Sequence, residues 1–161
     1  MFQTNLPIIL ASASPRRREL LSLLGIDFEI LPSPAAEPAP DAGEPPVAYA
    51  ARMAGLKARA VAELRPQSAV LGADSIVAVG EVILGKPRDV EDARRMLGLL
   101  SGRTHHVITG CALFGPEREP EIFTVATAVT MATIPEPAIA AYAASGEPLD
   151  KAGAYAIQGR A

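Results

Sequence analysis

Short apolar runs alternate along this chain with segments of helical periodicity, and this alternation limits the fold class more than any other feature of the sequence. The predicted strands cover residues 8–11, 28–31, 69–73, 75–79, 82–84, 105–114 and 121–134. The predicted helices cover residues 15–24, 46–64, 90–100 and 137–145. Strands interleaved with helices predict an α/β domain built on a mixed sheet.

Residues that favour helix ends support these boundaries. Ser14 suits the N-cap of the first helix, with Pro15 at the first helical position, and Asp89 suits the N-cap of the third helix. Gly25 is predicted to end the first helix. Residues 32–46 are rich in proline and show no periodicity, so they are predicted to form a surface loop.

Charge and composition exclude several classes of protein. The 161 residues carry 15 Lys and Arg against 18 Asp and Glu, a net charge of −3 that does not suit a nucleic-acid-binding surface. No apolar run approaches the roughly 20 residues of a membrane span, and the N-terminal charges follow the apolar stretch, the reverse of a secretory signal. The single cysteine, Cys111, excludes an internal disulfide and fits a reducing cytosol. We therefore expect a cytoplasmic protein.

Residues 12–18 form the first segment suited to phosphate chemistry. The segment joins a predicted strand to a helix, where free backbone N–H groups and the helix dipole attract anions. Ser12 and Ser14 add hydroxyl donors. Arg16 and Arg17 add guanidinium groups that match phosphate oxygens. The alternative is a capped helix with solvated arginines, and neither glycine-rich phosphate motif is present.

Two further positions suit a ligand site. Asp74 directly follows a predicted buried strand, where open α/β sheets bind ligands, and such a carboxylate binds a hard cation or takes a proton from water. The alternative is an Asp-Ser turn that satisfies its own backbone. Lys86 lies between Gly85 and Pro87, which restrict its backbone and suit it to contact a phosphate. The alternative is an ordinary loop lysine.

The remaining polar positions lie in the second half of the chain. Residues 146–159 are rich in turn formers, and glycines there would let a base approach Gln158; the alternative is a surface loop that leads into a last strand. His105 and His106 begin a predicted strand, so one is expected to face inward and one outward, which favours a structural role. Cys111 is expected to be a small buried apolar residue.

Together these segments resemble the Maf family of nucleoside triphosphate pyrophosphatases, within the Maf/HAM1-like group. The resemblance begins at LASASPRRRELL, continues through LGADSIV, ILGKPRD, LSGRTHHVITG and SGEPLDKAG, and ends at DKAGAYAIQG. So many motifs in family order are not expected by chance. The resemblance implies an elongated, twisted mixed sheet flanked by helices, with a central nucleotide-binding cleft.

The resemblance also implies an activity and a set of site residues. The activity is hydrolysis of a nucleoside triphosphate to the monophosphate and pyrophosphate, with a divalent cation, Mg²⁺ or Mn²⁺, as cofactor. Asp74 corresponds to the proton acceptor, and Asp74 and Glu37 are the expected metal ligands. The positions that set substrate preference are Arg16, Ser75 and Gln158. The expected phosphate-binding residues are Ser12, Ser14, Arg16, Arg17, Lys57, Lys86 and Lys151.

Gln158 indicates which nucleotide base is bound. Its amide presents one donor and one acceptor, which match the N3–H and O4 groups of thymine and uracil. A family branch with Glu at this position acts on modified guanine nucleotides, so this chain resembles the dTTP/UTP branch, with a house-cleaning role in the nucleotide pool. The alternative function is a non-catalytic nucleotide-binding regulator linked to septum formation.

The resemblance further implies the extent and assembly of the protein. Family members continue through another strand and helical segment, so residues 1–161 are expected to be a single domain that lacks the family's C-terminal segment. Because the family commonly forms homodimers, a homodimer is the expected assembly. The expected ligand is a small-molecule nucleoside triphosphate, with no nucleic acid and no membrane as partner.

Overall fold

A computed structural model of the chain describes residues 5–158. The helices are α1 (Pro15–Ser22), α2 (Pro46–Leu64), α3 (Val90–Leu100) and α4 (Glu136–Ala144), followed by two short 3₁₀ helices at Glu147–Asp150 and Ala152–Ala154. The strands are β1 (Ile8–Leu10), β2 (Glu29–Ile30), β3 (Ala69–Val79), β4 (Val82–Leu84), β5 (Thr104–Phe114) and β6 (Glu121–Thr130). No helix within this part of the chain is long and apolar enough to cross a bilayer.

The six strands form one mixed sheet in the order β2-β1-β3-β5-β6, with β4 paired to β3. Strand β1 is parallel to both of its neighbours, so that Ile9 lies opposite Glu29 on one side and Val70 on the other. Strands β3 and β4 form an antiparallel hairpin with Ala78 opposite Ile83. The sequence-based prediction of an α/β fold with a mixed sheet is therefore confirmed.

The chain divides into two compact units, each with its own core. Of the described residues, the first unit comprises 5–74 and Thr109–Thr124, and the second comprises Ser75–Ile108 and 125–158. The core of the first unit is formed by Ile9, Ala11, Ala54, Ala58, Val61, Val70 and Ala112. The core of the second unit is formed by Val77, Leu84, Ala93, Met96, Leu97, Leu100, Ile139, Ala143 and Ala154.

In the first unit, α2 packs so closely on the sheet that only glycine fits at two strand positions. A Cβ atom on Gly72 of β3 would lie 2.7 Å from the backbone nitrogen of Ala58. A Cβ atom on Gly110 of β5 would overlap the carbonyl oxygen of Ala50. The many alanines of α2 complete this close approach, which fixes the helix against the strands that it covers.

The predicted ends of α1 and of β6 are wrong, each for a local reason. Helix α1 ends at Ser22 rather than at 24, because the N–H groups of Leu24 and Gly25 turn back to carbonyls three residues earlier and Gly25 then takes a φ of +64°. Strand β6 ends at Thr130 rather than at 134. The backbone of residues 131–134 instead bonds to the turn at 101–103 that follows α3.

Candidate active site

Three charged side chains meet in the first unit, on α2, on β3 and in the loop between β2 and α2. The ammonium of Lys57 donates to Asp74 Oδ1 at 2.6 Å and lies 2.9 Å from Glu37 Oε1. The Lys57 and Asp74 side chains are each only 14% exposed, whereas Glu37 is 62% exposed. The structure thus brings together the predicted proton acceptor and the second predicted metal ligand through a shared lysine.

The close approach of α2 to β3 explains why this cluster forms. Gly72 lies two residues before Asp74, and Ala58, which it contacts, directly follows Lys57. With no side chain at Gly72, the helix backbone lies against the strand and Lys57 is within direct reach of the carboxylate. The segment LGAD therefore contains both the glycine that packs against α2, Gly72, and the acid that this packing brings to Lys57, Asp74.

The charge of Lys57 is set by its two carboxylate partners. Burial alone lowers the pKa of Lys57, but the hydrogen bonds to Asp74 and Glu37 outweigh burial, so that its pKa lies above the usual value. The ammonium therefore stays protonated at neutral pH. Lys57 offsets the repulsion between two carboxylates that would otherwise face each other across a small gap.

The position of Asp74 corrects the sequence-based prediction. Asp74 does not follow a strand at the edge of the sheet: it lies inside β3, which continues without a break through Ser75 to Val79. The alternative, an Asp-Ser turn, is also wrong. Two strands were predicted because a charged residue interrupts the apolar run, but Lys57 neutralises that charge inside the continuous strand.

The turn from β1 to α1 is tied to the residue before Asp74. The Arg17 guanidinium donates to the carbonyl oxygen of Ala73 at 2.6 Å and to Ser12 Oγ at 3.3 Å. Ser12 is 8% exposed and also accepts from the backbone N–H of Ser14. These bonds position the hydroxyl of Ser12 and the N-terminus of α1 relative to β3.

A cavity of about 250 Å³ opens at this turn. It is lined by Ser12, Ala13, Ser14, Pro15, Arg18, Ile30 and Pro32. Ser12 and Ser14 are thus brought together as predicted, beside the N-terminus of α1. Arg16 does not line this cavity; its exposed side chain lies 3.9 Å from Glu19. Arg18, which is not among the predicted phosphate-binding residues, also lines the cavity. It lies about one helical turn after Pro15, and this spacing could have indicated that both residues face the cavity.

In the second unit, Lys86 and Lys151 lie in two loops that are bonded to each other. The carbonyl oxygen of Gly85 accepts from the N–H of Gly153 at 3.0 Å. Lys151 donates to Asp150 Oδ1 at 2.6 Å and to the carbonyl of Glu147. The hydrogen bond from Lys151 is the main cause that lowers the pKa of Asp150, and the charge of Lys86 contributes. The two predicted phosphate-binding lysines therefore share one carboxylate environment.

The two remaining positions predicted to set substrate preference also belong to the second unit. Ser75 lies within β3, directly after Asp74, and is half-buried. Gln158 is exposed and is the last residue that the structure describes. The prediction that glycines let a nucleotide base approach Gln158 also involves the neighbouring Gly159. Gly159 lies outside the described residues. The base contact of Gln158 stays a prediction.

The histidine pair has the arrangement predicted from the sequence. His105 is fully buried, and its Nε2 lies 2.5 Å from the Tyr155 hydroxyl with the rings packed edge to face, whereas His106 is exposed. Burial lowers the pKa of His105, and the charge of His106 adds to this effect. Cys111 is half-buried rather than fully buried, and its partial burial raises the pKa of the thiol.

The carboxylates of Asp74 and Glu37 are a suitable donor set for a hard divalent cation. Mg²⁺ is commonly held by one or two carboxylates, with water and phosphate oxygens as the other ligands. Both carboxylates already lie within 2.9 Å of one cationic group, the Lys57 ammonium. Among residues 5–158 there is no group of three or more His, Cys, Asp or Glu side chains placed to hold a metal. Within the described part of the chain, Asp74 and Glu37 are therefore the two candidate ligands for a cation.

Comparison with known proteins identifies the family. Residues 7–161 match the sequence model of the Maf family, which is described as "Maf-like protein". The chain belongs to the Maf family. This Maf chain is 52% identical to the dTTP/UTP pyrophosphatase of Nitratidesulfovibrio vulgaris over 95% of its own length and 73% of the relative. It is 53% identical to the dTTP/UTP pyrophosphatase of Myxococcus xanthus over 95% and 76%.

Solved structures support the fold. A HAM1 protein from Coxiella burnetii superposes with a TM-score of 0.57 at 22% identity, covering 81% of the Maf chain and 75% of the other. A dITP/XTP pyrophosphatase from Mycobacterium abscessus gives a TM-score of 0.51 at 21% identity, with coverages of 81% and 76%. At this level of identity the likeness concerns the fold alone, and it agrees with the predicted Maf/HAM1-like architecture.

Proposed function

We propose that this Maf-family protein hydrolyses dTTP and UTP to the nucleoside monophosphate and pyrophosphate. The observation that carries the proposal is the Asp74 carboxylate, which is largely buried and held at 2.6 Å by a lysine inside a continuous strand. About half of the residues are shared with relatives named dTTP/UTP pyrophosphatase, which supports the choice of substrate. The reaction requires a rigidly held base near a triphosphate, and Asp74 provides that base.

The proposed reaction is attack of water on the α-phosphorus. A new P–O bond forms to the water oxygen, the bond from the α-phosphorus to the bridging oxygen breaks, and pyrophosphate leaves. Asp74 accepts the proton that the water loses. Lys57 bonds to Oδ1 of Asp74, so Oδ2 is the oxygen assigned to the proton.

The positive charges of the first unit fit the demands of phosphoryl transfer. Positioning and charge neutralisation make the largest contributions to such reactions. Ser12 and Ser14 line a cavity at the N-terminus of α1 together with Arg18, and we assign phosphate binding to this cavity. In the second unit, Lys86 and Lys151 are proposed phosphate contacts and Gln158 the proposed base contact.

A divalent cation, Mg²⁺ or Mn²⁺, is part of the proposal. Asp74 and Glu37 would hold it through their carboxylate oxygens. When bound, such an ion neutralises charge on phosphate oxygens and lowers the pKa of a bound water. Lys57 keeps the two carboxylates close together. A cytoplasmic location and a homodimeric assembly belong to the same proposal, and gel filtration with light scattering tests the assembly.

Replacement of the acid tests the proposal directly. Asp74→Asn keeps the shape of the side chain but cannot accept the proton, so turnover of dTTP is expected to fall by about 10²–10⁴-fold, the contribution of a general base. Pyrophosphate and dTMP are quantified together, and the melting temperature shows whether the fold is kept. Asp27→Asn, at an exposed aspartate before β2, is the matched control and should keep full activity.

Two outcomes would contradict the proposal. Turnover of Asp74→Asn near the wild-type rate would exclude Asp74 as the base. Tight binding of dTTP by the wild-type protein, without release of pyrophosphate at any Mg²⁺ or Mn²⁺ concentration, would instead support the alternative of a non-catalytic nucleotide-binding regulator.

A further inference from the structure

Glu37 belongs to a loop whose own structure does not explain its position. The loop between β2 and α2 contains five of the 15 prolines of the chain and forms no helix or strand. Proline restricts φ and offers no N–H donor, so the prolines of the loop can bond to their surroundings only through their carbonyl oxygens. Yet the exposed Glu37 side chain reaches Lys57 at 2.9 Å. Contacts outside the loop must therefore hold it in place.

Two residues of α2 hold the backbone that directly follows Glu37. The Tyr49 hydroxyl donates to the carbonyl oxygen of Pro38 at 3.1 Å. Arg52 Nη2 donates to the carbonyl oxygen of Ala39 at 3.4 Å. Tyr49 and Arg52 are three residues apart and so lie on one face of the helix, and the guanidinium carbon is 5.3 Å from the centre of the Tyr49 ring.

Glu44 fixes the guanidinium of Arg52 at the far end of the same loop. Arg52 donates from Nε to Glu44 Oε1 at 2.7 Å and from Nη2 to Oε2 at 2.6 Å, a two-point contact that sets the plane of the guanidinium. Glu44 also accepts from the backbone N–H of Asp41 at 3.0 Å, and its side chain is 11% exposed. Arg52 is thus bonded to both halves of the loop.

The pKa of Tyr49 is sensitive to the charges of the active-site cluster. Burial raises the pKa of Tyr49, and the negative charges of Asp74 and Glu37 raise it further. The hydroxyl therefore stays protonated at neutral pH and is a donor to the loop. The Tyr49 hydroxyl, which bonds to the loop, therefore interacts electrostatically with both carboxylates.

We infer that Tyr49 and Arg52, the loop clamp, are positioning residues that act through Glu37. They fix residues 37–44 on α2, so that the Glu37 carboxylate stays beside Asp74 and the two-carboxylate site is already formed before a cation arrives. Without the clamp, an exposed glutamate on a loop would have to be ordered on each binding event, which weakens binding. This inference rests on the proposed function, in which Glu37 and Asp74 hold a divalent cation.

The test measures binding of Mn²⁺ alone, without nucleotide, by the paramagnetic resonance signal of the free ion. Tyr49→Phe removes one hydroxyl and keeps the ring, and Arg52→Lys removes the two-point contact and keeps the charge. Each is expected to raise the Kd for Mn²⁺ by about 10-fold, the lower end of the effect of removing a group that supports a metal ligand. With saturating cation, kcat for dTTP should stay near the wild-type value.

Double variants separate positioning from general stability. If the clamp acts through Glu37, then Glu37→Gln combined with Tyr49→Phe binds Mn²⁺ no more weakly than Glu37→Gln alone. Arg65→Lys is the matched control, because Arg65 follows the C-terminal end of α2 and its side chain makes an exposed ion pair at 3.4 Å to Glu29, away from the loop that carries Glu37. This control should leave the Kd unchanged.

The outcomes distinguish the inference from the proposed function. Wild-type Mn²⁺ affinity in both clamp variants, or additive weakening in the double variant, overturns the inference while hydrolysis of dTTP can stand. Wild-type affinity in Glu37→Gln removes Glu37 from the cation site and overturns the inference with it. If the protein binds Mn²⁺ through the clamped site but does not hydrolyse dTTP, the proposed function fails and the inference stands.

Discussion

Gly72→Ala is the most direct steric test of how the active site is assembled. The added Cβ atom would lie 2.7 Å from the backbone nitrogen of Ala58 and 2.8 Å from the carbonyl oxygen of Ala54, whereas ordinary van der Waals contact begins at 3.4 Å. The shortfall is about 0.7 Å. Both contacted atoms are backbone atoms of α2, so no change of rotamer relieves the clash and the helix itself must move away from β3.

The size of the effect follows from that displacement. Forcing an extra carbon into a packed core costs about 1–3 kcal/mol of unfolding free energy. For a chain of this length, 1 kcal/mol corresponds to about 2–4 °C in Tm, so the expected loss is about 2–12 °C. Because Lys57 precedes Ala58, the shift also lengthens the 2.6 Å contact to Asp74. Misplacement by about 1 Å can reduce turnover by up to about 100-fold.

Urea unfolding and initial rates of dTTP hydrolysis measure the two effects on the same protein. Gly98→Ala is the matched control, because Gly98 lies within α3 and a Cβ there would meet nothing within 4 Å. In a helix interior, alanine is expected to add about 0.5–1 kcal/mol of stability. If Gly72→Ala were as stable and as active as the wild type, α2 would not be held against β3 in the way described.

Two further predictions concern the second unit. Asp89→Ala removes the side-chain acceptor that caps α3 through the N–H of Asp92 at 2.8 Å, and thermal unfolding should show a loss of about 1 kcal/mol; an unchanged Tm would contradict the capping role. Burial depresses the pKa of His105 in the folded state, so the unfolded chain binds a proton more readily once the pH falls below about 6.5. The stability that neutral His105 contributes above that pH is therefore lost as the pH falls from there to the depressed pKa of the folded state. His105→Gln should lack this part of the loss in urea titrations, and an unchanged pH dependence would contradict the prediction.

The features that were predictable from the sequence are those that local patterns determine. Helix α2 begins and ends at the predicted residues, 46 and 64, because apolar residues recur along it at helical spacing and prolines lie at its first position and beyond its end. Asp89 caps α3 as predicted, since a capping bond joins residues three apart in the chain. The inward and outward faces of His105 and His106 follow from strand alternation.

The features that were not predictable depend on partners distant in the chain. Asp74 looks like a strand end because its neutralising lysine is 17 residues away, and only the packing of α2 on β3 brings the two together. Arg17 and Ala73, which are bonded, lie 56 residues apart in the chain, so the spacing of the arginines does not predict this contact. The two-point contact between Arg52 and Glu44 is likewise invisible, because the loop that carries Glu44 has no periodicity.

The most direct test of the central claim is a comparison of substrates for the wild-type protein. Initial rates of pyrophosphate release are measured with dTTP, UTP, GTP and ATP at equal concentration with Mg²⁺, together with the matching monophosphate. We expect dTTP and UTP to be cleaved much faster than GTP and ATP, with one pyrophosphate released for each monophosphate. A preference for purine nucleotides, or release of single phosphates in place of pyrophosphate, would contradict this expectation.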